Sequence, residues 1–569
     1  MALKQFILNA IKRVVSLFQI VFSLLVLSFF LSSCLKNNII ADADGTINTL
    51  LEFSGPSHSM KRLTQKQLLT SMQDLLEIND WTPSGELPLD GTSSGAFKMP
   101  GVAATSVTAT SLDFERYRVL AKEAVELGLN TGNKIYNALG CRPGHANDSC
   151  VVNFFQKKAT QAWSRKVEVS DPILVEILNV VDEAYKESGY DINEGIRWGM
   201  IALLQSAEFL YVVPRSNDQH ELDDFSKARQ LALMFTGTVP DQELLAAAAR
   251  GELTTDQGLL IQVNRLAENI LNDESARQAV LAFFDDWLSI ENISNVGKDA
   301  GAFPDFSEAL KNSMKEEIYL MLDATIFKED GDLRQFFYAQ GSFVNSELAK
   351  IYDLPDPGTH EMVWMNFPSN SPRSGFFSSP GFLAMQSHPA STTPTLRGMY
   401  IIERVLCQTI PLPPPNFDTV VPDPVGHETK RDKFARHATD PNCSGCHDLM
   451  DPSGFTLEEF DALGVHRETE AVTYNGTTLN LPINTQGSLL GMSFADSKDF
   501  ARQVAYSVEF SQCVVKNLSE NILGRRLNGN ELQSIYDELV RDDSLNIVRW
   551  LKKLALNKGF WQMSAGSNV

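Results

Sequence analysis

The sequence predicts a mainly α protein built from several successive helical modules, and three observations predict it. Apolar residues recur three and four positions apart over many stretches, as at Leu63, Leu68, Met72, Leu75 and Leu76. Helix-start signals head some of them: Asp171-Pro172 supplies a cap and a first turn, and Pro240-Asp241-Gln242-Glu243 opens another. Alternation of period two is confined to about residues 470–490, where polar turns suggest a short hairpin. The chain has 569 residues, enough for three to four domains at about 150 residues each. Its 35 Gly and 25 Pro exclude collagen-like and low-complexity classes. A net charge of −22, from 49 basic and 71 acidic residues, repels phosphate backbones and argues against general nucleic-acid binding. Such a charge favours solubility or basic partners.

In chain order, Lys4, Lys12 and Arg13 precede an apolar run from Val14 to Leu31 that ends in Leu31-Ser32-Ser33-Cys34. This reads as a lipoprotein signal peptide over residues 1–33, with small residues before a cysteine as in the bacterial lipobox. Cys34 then takes the diacylglycerol and becomes the membrane anchor. The alternative is an uncleaved transmembrane segment, and both place the bulk of the chain outside the cytoplasm. Leu35 in place of Asp points to the outer membrane, facing the periplasm or the cell surface. Residues 34–58 read as a tether.

Residues 59–215 form N-terminal helical modules, with helices over Met60 to Ile78 and Phe114 to Leu127 and a Gly/Ser/Thr/Pro-rich loop from Gly85 to Ser111. A central helical module covers 216–365, with helices near 223–235, 240–250, 255–272, 274–290, 307–326, 331–339 and 345–352. The acidic pairs Asp285-Asp286 and Glu316-Glu317 read as solvated helix faces. The span 366–470 holds a helix near 393–407 and the stiff run Pro411-Leu412-Pro413-Pro414-Pro415. A C-terminal helical module, 471–569, ends the chain without any internal repeat.

Chemistry concentrates in the cysteines. Cys443-Ser444-Gly445-Cys446-His447 is the C-x-x-C-H attachment pattern for c-type haem. Two thiols add to the two vinyl groups, and the adjacent imidazole reaches the iron from the same turn. A zinc site using His437 is the alternative, though it lacks a second pair of ligands. A thioredoxin-like C-x-x-C would need a βαβ setting, which Pro441-Asn442 and the expected loop 451–454 do not suggest. The reading is one covalent haem c in a cytochrome c-like module over 366–470. Cys141, Cys150, Cys407 and Cys513 remain, and export favours the pairs Cys141–Cys150 and Cys407–Cys513 over buried thiols.

His447 is the expected proximal ligand, oriented by the Pro452 carbonyl. Met492 is the distal candidate, with His466 and His388 as contenders. Met450 reads as packing, and His437 as a contact to a propionate or the loop backbone. Methionine ligation would favour electron transfer, and an open position peroxide or oxygen chemistry. No G-x-S-x-G, H-E-x-x-H or Walker pattern is present.

Taken together, these residues resemble the planctomycete-type c-cytochrome proteins, a family of successive modules with one haem module. The resemblance runs from about residue 60 to 560. It rests on Arg62-Leu63-Thr64 and Asp74-Leu75-Leu76, then Arg229 to Leu245, Trp287-Leu288, Phe343-Val344-Asn345 and Tyr352. It continues through Thr393-Pro394, Arg397-Gly398 and Glu403 to its most specific stretch, His437 to Gly454 with Phe455, Leu457-Glu458, Phe460-Asp461 and Gly464. Cys513 and Leu523-Gly524-Arg525-Arg526 complete it. Thr236 stands where that family usually has Trp, and His466 where it has Tyr or Trp. The resemblance implies haem, export and module order, and no particular reaction. Three functions follow as expectations: a membrane-tethered electron carrier with periplasmic or surface redox partners; a haem peroxidase or oxidase with a cleft in the helical modules; or a binding and scaffold lipoprotein.

Overall fold

The computed structural model describes residues 58, 60–78, 81–91, 101, 110–130, 134–411, 425–439, 441–539 and 544–563. They all lie within Leu51–Val569, one of the two units into which the chain divides. The signal peptide, Cys34, the tether except for His58, and Leu412 to Pro415 fall outside the described residues.

The fold is mainly helical, and its strands form four two-stranded sheets. Strand β1 (Lys61–Arg62) precedes α1 (Gln65–Leu76), which Thr64 and Gln67 open with a reciprocal capping box. The sequence reading ran this helix back to Met60. Instead Lys61 and Arg62 pair with Val212 and Tyr211 of β2, which ties the start of the described chain to the end of the first helical set. That set comprises α2 (Ser111–Asn130), α3 (Lys134–Leu139), α4 (Ser149–Trp163), α5 (Pro172–Glu187), α6 (Ile192–Leu204) and α7 (Ala207–Leu210). Asp171 accepts from the Ile173 and Leu174 N–H groups, as the Asp-Pro signal requires. Cys141 and Cys150 are disulfide-bonded just ahead of α4 and into its first turn.

The central helices are α8 (Asp224–Phe235), α9 (Gln242–Ala249), α10 (Asp256–Asn272), α11 (Gln278–Leu288) and α12 (Glu308–Ile326). Asp223, Asp241, Thr255 and Ser307 each cap the helix that follows. Next come α13 (Arg334–Tyr338), β3 (Gly341–Val344), α14 (Ser346–Tyr352) and β4 (Val363–Asn366), with β3 and β4 paired antiparallel around α14. The acidic pairs do not form solvated faces. Glu316 is exposed, but Glu317 is fully buried and accepts hydroxyl hydrogen bonds from Ser342 and Tyr352. Asp285 is buried and paired with Lys66.

Beyond α15 (Pro380–Met385) and α16 (Pro394–Tyr400), a π-helical turn spans Ile401–Val405. Helices α17 (Lys430–His437) and α18 (Pro441–Phe455) follow. Two hairpins come next: β5 (Thr469–Tyr474) with β6 (Thr477–Pro482), and β7 (Gly487–Leu489) with β8 (Met492–Phe494). Asn475 and Gly476 both take positive φ, 48° and 77°, as a type I′ turn demands. The chain ends in α19 (Ser497–Ala505), α20 (Val508–Leu523), α21 (Gly529–Leu539) and α22 (Ile547–Leu556). The Cys407–Cys513 disulfide fastens the end of the π-helical segment to α20. Trp287, Phe337, Phe376 and Phe510 pack within 4.8–6.4 Å of one another along this aromatic core. The final turn returns to the central module: the Leu222 N–H donates to Trp561 O, and the Met563 N–H to His220 O. Among the described residues no helix is long and apolar enough to cross a membrane.

Candidate functional site

Helix α18 carries the C-x-x-C-H residues. A helix brings positions i, i+3 and i+4 to one face, so Cys443, Cys446 and His447 share one side of it. The sequence reading expected a loop at 451–454, whereas α18 runs through Pro452 to Phe455. Two glycines make room for the neighbour that holds it. A Cβ on Gly398 of α16 would clash with the Met450 carbonyl oxygen, and one on Gly454 would clash with that of Pro394. The backbones of α16 and α18 therefore touch, and this contact supports a helix that proline interrupts by one hydrogen bond.

Continuing the helix changes which group orients His447. Its Nδ1 lies 2.8 Å from Asp451 Oδ2, one turn on, and Asp451 Oδ1 accepts from Thr395 Oγ1 at 2.9 Å. An ionised carboxylate only accepts, so the imidazole proton sits on Nδ1 and Nε2 keeps its lone pair. The Pro452 carbonyl, which the sequence reading assigned to this task, instead accepts from the Thr456 hydroxyl at 3.1 Å. Burial pushes the Asp451 carboxyl above the usual range, against the opposing effect of its bond to His447.

Neither Cys443 nor Cys446 is in a disulfide, while the other four cysteines among the described residues are paired as expected. Cys443 is buried; Cys446 is half-buried, with Sγ 3.1 Å from the Pro411 carbonyl. Two thiols and a preoriented imidazole on one face form a donor set that fits covalent haem attachment. Among the described residues no group of three or more His, Cys, Asp or Glu side chains converges as a metal site would require.

Among the distal candidates, Met492 is half-buried on β8, opposite Leu489. Its hairpin meets α18 at Pro452 and Thr456, through Gly487. His466 lies 3.6 Å from Glu459, and burial lowers its pKa. His388 is exposed. Met450 is buried, as packing requires. The histidine brought beside His447 is His437, at the end of α17: its buried ring stands edge-on with centroids 4.9 Å apart, and its Nδ1 is 3.9 Å from Cys443 Sγ. Phe434, one turn earlier on α17, lies 6.1 Å from the His447 ring and 6.0 Å from Phe455. Asp451 is the site residue whose role sequence reasoning missed, and His437, read as a contact to a propionate or the loop backbone, is the one whose place beside His447 it did not foresee. The i,i+4 spacing of His447 and Asp451 was the available signal for the first.

The residues C-terminal to α18 have a structural task. Arg397 is fully buried and donates to the carbonyls of Leu457, Phe460 and Asp461 at 2.6–3.0 Å, with Glu458 beside it. Arg373, also buried, donates to the carbonyls of Ile351 and Gly464 and lies over the rings of Tyr352 and Phe460. These two guanidiniums add hydrogen bonds to the carbonyls of the turn that follows α18.

The fold and site thus define a mainly helical chain with a cysteine-pair-and-histidine helix docked on a partner helix. Residues 222–354 match a family described as protein of unknown function (DUF1592), and residues 373–470 match one described as protein of unknown function (DUF1588). Their domain names, PSD4 and PSCyt3, are those of the planctomycete cytochrome c family. No curated protein and no solved structure matches the chain.

Proposed function

We propose that the chain is an exported, lipid-anchored mono-haem c-type cytochrome that passes single electrons between partners in the periplasm or at the cell surface. The observation that carries this reading is the face of α18: two cysteines outside any disulfide, one turn from a histidine whose Nδ1 proton a carboxylate already holds. A haem bound there supplies one-electron chemistry at iron. The chain's own residues do the rest. His447 offers Nε2, Asp451 fixes the ring and raises its basicity, and Thr395 fixes Asp451.

The test is to express the full chain in a host with haem maturation and to record ferric, ferrous and pyridine haemochrome spectra. A covalent c-type signature is expected, lost when Cys443 and Cys446 are both changed to Ala. Wild-type protein without that signature, despite working maturation, overturns the reading. A second reading, a haem-dependent peroxidase or oxidase, would need a pocket at the haem itself, whereas the cavity of about 1080 Å³ among the helical modules is lined by no residue of α18. A high-spin ferric spectrum that responds to cyanide or peroxide selects it over the carrier.

A further inference from the structure

That cavity lies away from α18, where α1, α8, α11 and α20 meet. Six of its wall residues are charged: Lys61, Lys66, Asp74, Asp285, Asp286 and Glu291. Five of them are partnered or exposed to solvent. Lys66 pairs with Asp285, and Asp285 also accepts from the Glu291 N–H at 2.9 Å. Glu291 accepts from Lys315 Nζ at 2.7 Å and from Tyr319 Oη at 3.2 Å. Lys61 Nζ donates to the Ile522 carbonyl at 2.9 Å, and Asp74 is exposed to solvent.

Asp286 is the exception. Its half-buried carboxyl has no hydrogen-bond or ion-pair partner among the described residues, and only its backbone carbonyl is used, by Arg404. Burial pushes this carboxyl up to about 7, with the charges of Asp285 and Asp90 adding to the effect and Lys66 opposing it. Asp285, one residue earlier on the same helix, shows how a structural carboxylate here is satisfied: by a lysine and a backbone N–H. Leaving Asp286 without such partners costs stability, and a cation entering the cavity removes that cost. The neutral wall residues Gln67, Gln278 and Asn521 can hydrogen-bond the remainder of a polar ligand.

We infer that this cavity binds a small organic cation of the alkylammonium class, with Asp286 as its counter-ion. The assignment does not rest on the haem reading and survives its failure.

The experiment is calorimetric titration of the full chain with 1,4-diaminobutane, using 1,4-butanediol as the neutral control of matching shape. The diamine is expected to bind saturably and the diol not. Asp286→Asn is expected to weaken diamine binding at least tenfold while leaving the melting temperature unchanged or higher, a pair of results that a merely structural aspartate would not give. Thr236→Trp leaves the Asp286 carboxyl in place, puts bulk in the cavity wall and is expected to abolish binding too; it carries the test if Asp286→Asn does not fold. Absence of diamine binding to wild type, equal binding of diol and diamine, or undiminished binding by the variants overturns the inference.

Discussion

Two kinds of buried charge, arginines beside α18 and Glu317 in the central region, are satisfied in opposite ways. Beside α18, Arg373 and Arg397 are at most 1% exposed, and both spend N–H groups on backbone carbonyls. Burial lowers Arg397 only to about 10, so it stays charged at neutral pH. In the central region the contrasting charge is the fully buried carboxyl of Glu317. Glu317 receives two hydroxyl hydrogen bonds but no cation in contact, and burial pushes it up to about 7. A buried arginine satisfies several carbonyls without changing its charge, whereas a buried carboxyl meeting only hydroxyls changes its charge near neutrality. Arg397 therefore keeps its charge through neutral pH, whereas Glu317 in the central region and Glu459 just past α18, also pushed up to about 7 by burial, change theirs there.

The strongest way to break that contrast is at the contact of α16 and α18. Gly398→Val puts a branched side chain where the Met450 carbonyl already sits. It is expected to destabilise the protein by roughly 3 kcal/mol or more, read by urea unfolding. A variant as stable as wild type would show that the helices can part freely.

Glu317→Gln tests the other side. Glu317 binds its proton more tightly folded than unfolded, so its favourable contribution is complete below the unfolded pKa near 4.5 and is lost as pH rises through about 7. Wild-type stability is expected to fall across that window by an amount on the order of 1–3 kcal/mol from this group. The amide variant, which keeps an oxygen for Ser342 and Tyr352, should flatten the decline in unfolding curves taken from pH 5 to 8. An unchanged slope would place the titration elsewhere.

The smallest expected effect sharpens the α18 side. Asp451→Asn exchanges a carboxylate acceptor for an amide, makes the His447 imidazole less basic and so favours ferrous iron in the haem-loaded protein. The reduction potential should rise by about 50 mV, or about 1 kcal/mol, in a spectroelectrochemical titration. A potential that does not move would mean that Asp451 only packs.

The same contrast explains what was legible in the sequence. The C-x-x-C-H face, the Cys141–Cys150 disulfide, the Asp171-Pro172 start and a hairpin within 470–490 are local signals contained in a few residues, whereas Cys407–Cys513 was the favoured choice among the connectivities open to four cysteines. Helix α4 escaped notice because it opens on Ser149-Cys150-Val151-Val152, residues of modest helix propensity, and is held instead by burial of Phe154, Phe155 and Trp163. The run of α18 through Pro452 depends on α16, some fifty residues upstream, which no window around the motif contains. Asp285-Asp286 looked like solvent-facing charge because its surroundings come from α1, α8 and α20, elements far apart in the chain. What a side chain does was readable where its partners lie within one or two helical turns, and unreadable where they come from elsewhere.

The Cys407–Cys513 bond has a topological consequence. It makes residues 407–513 a covalent ring that contains α17, α18, both hairpins and α19. The exposed Asn475-Gly476 turn lies on that ring. A protease that cuts there turns the ring into two arms sharing one sulfur bridge, and neither arm can diffuse away. A single cut in this exposed turn thus leaves the molecule in one piece.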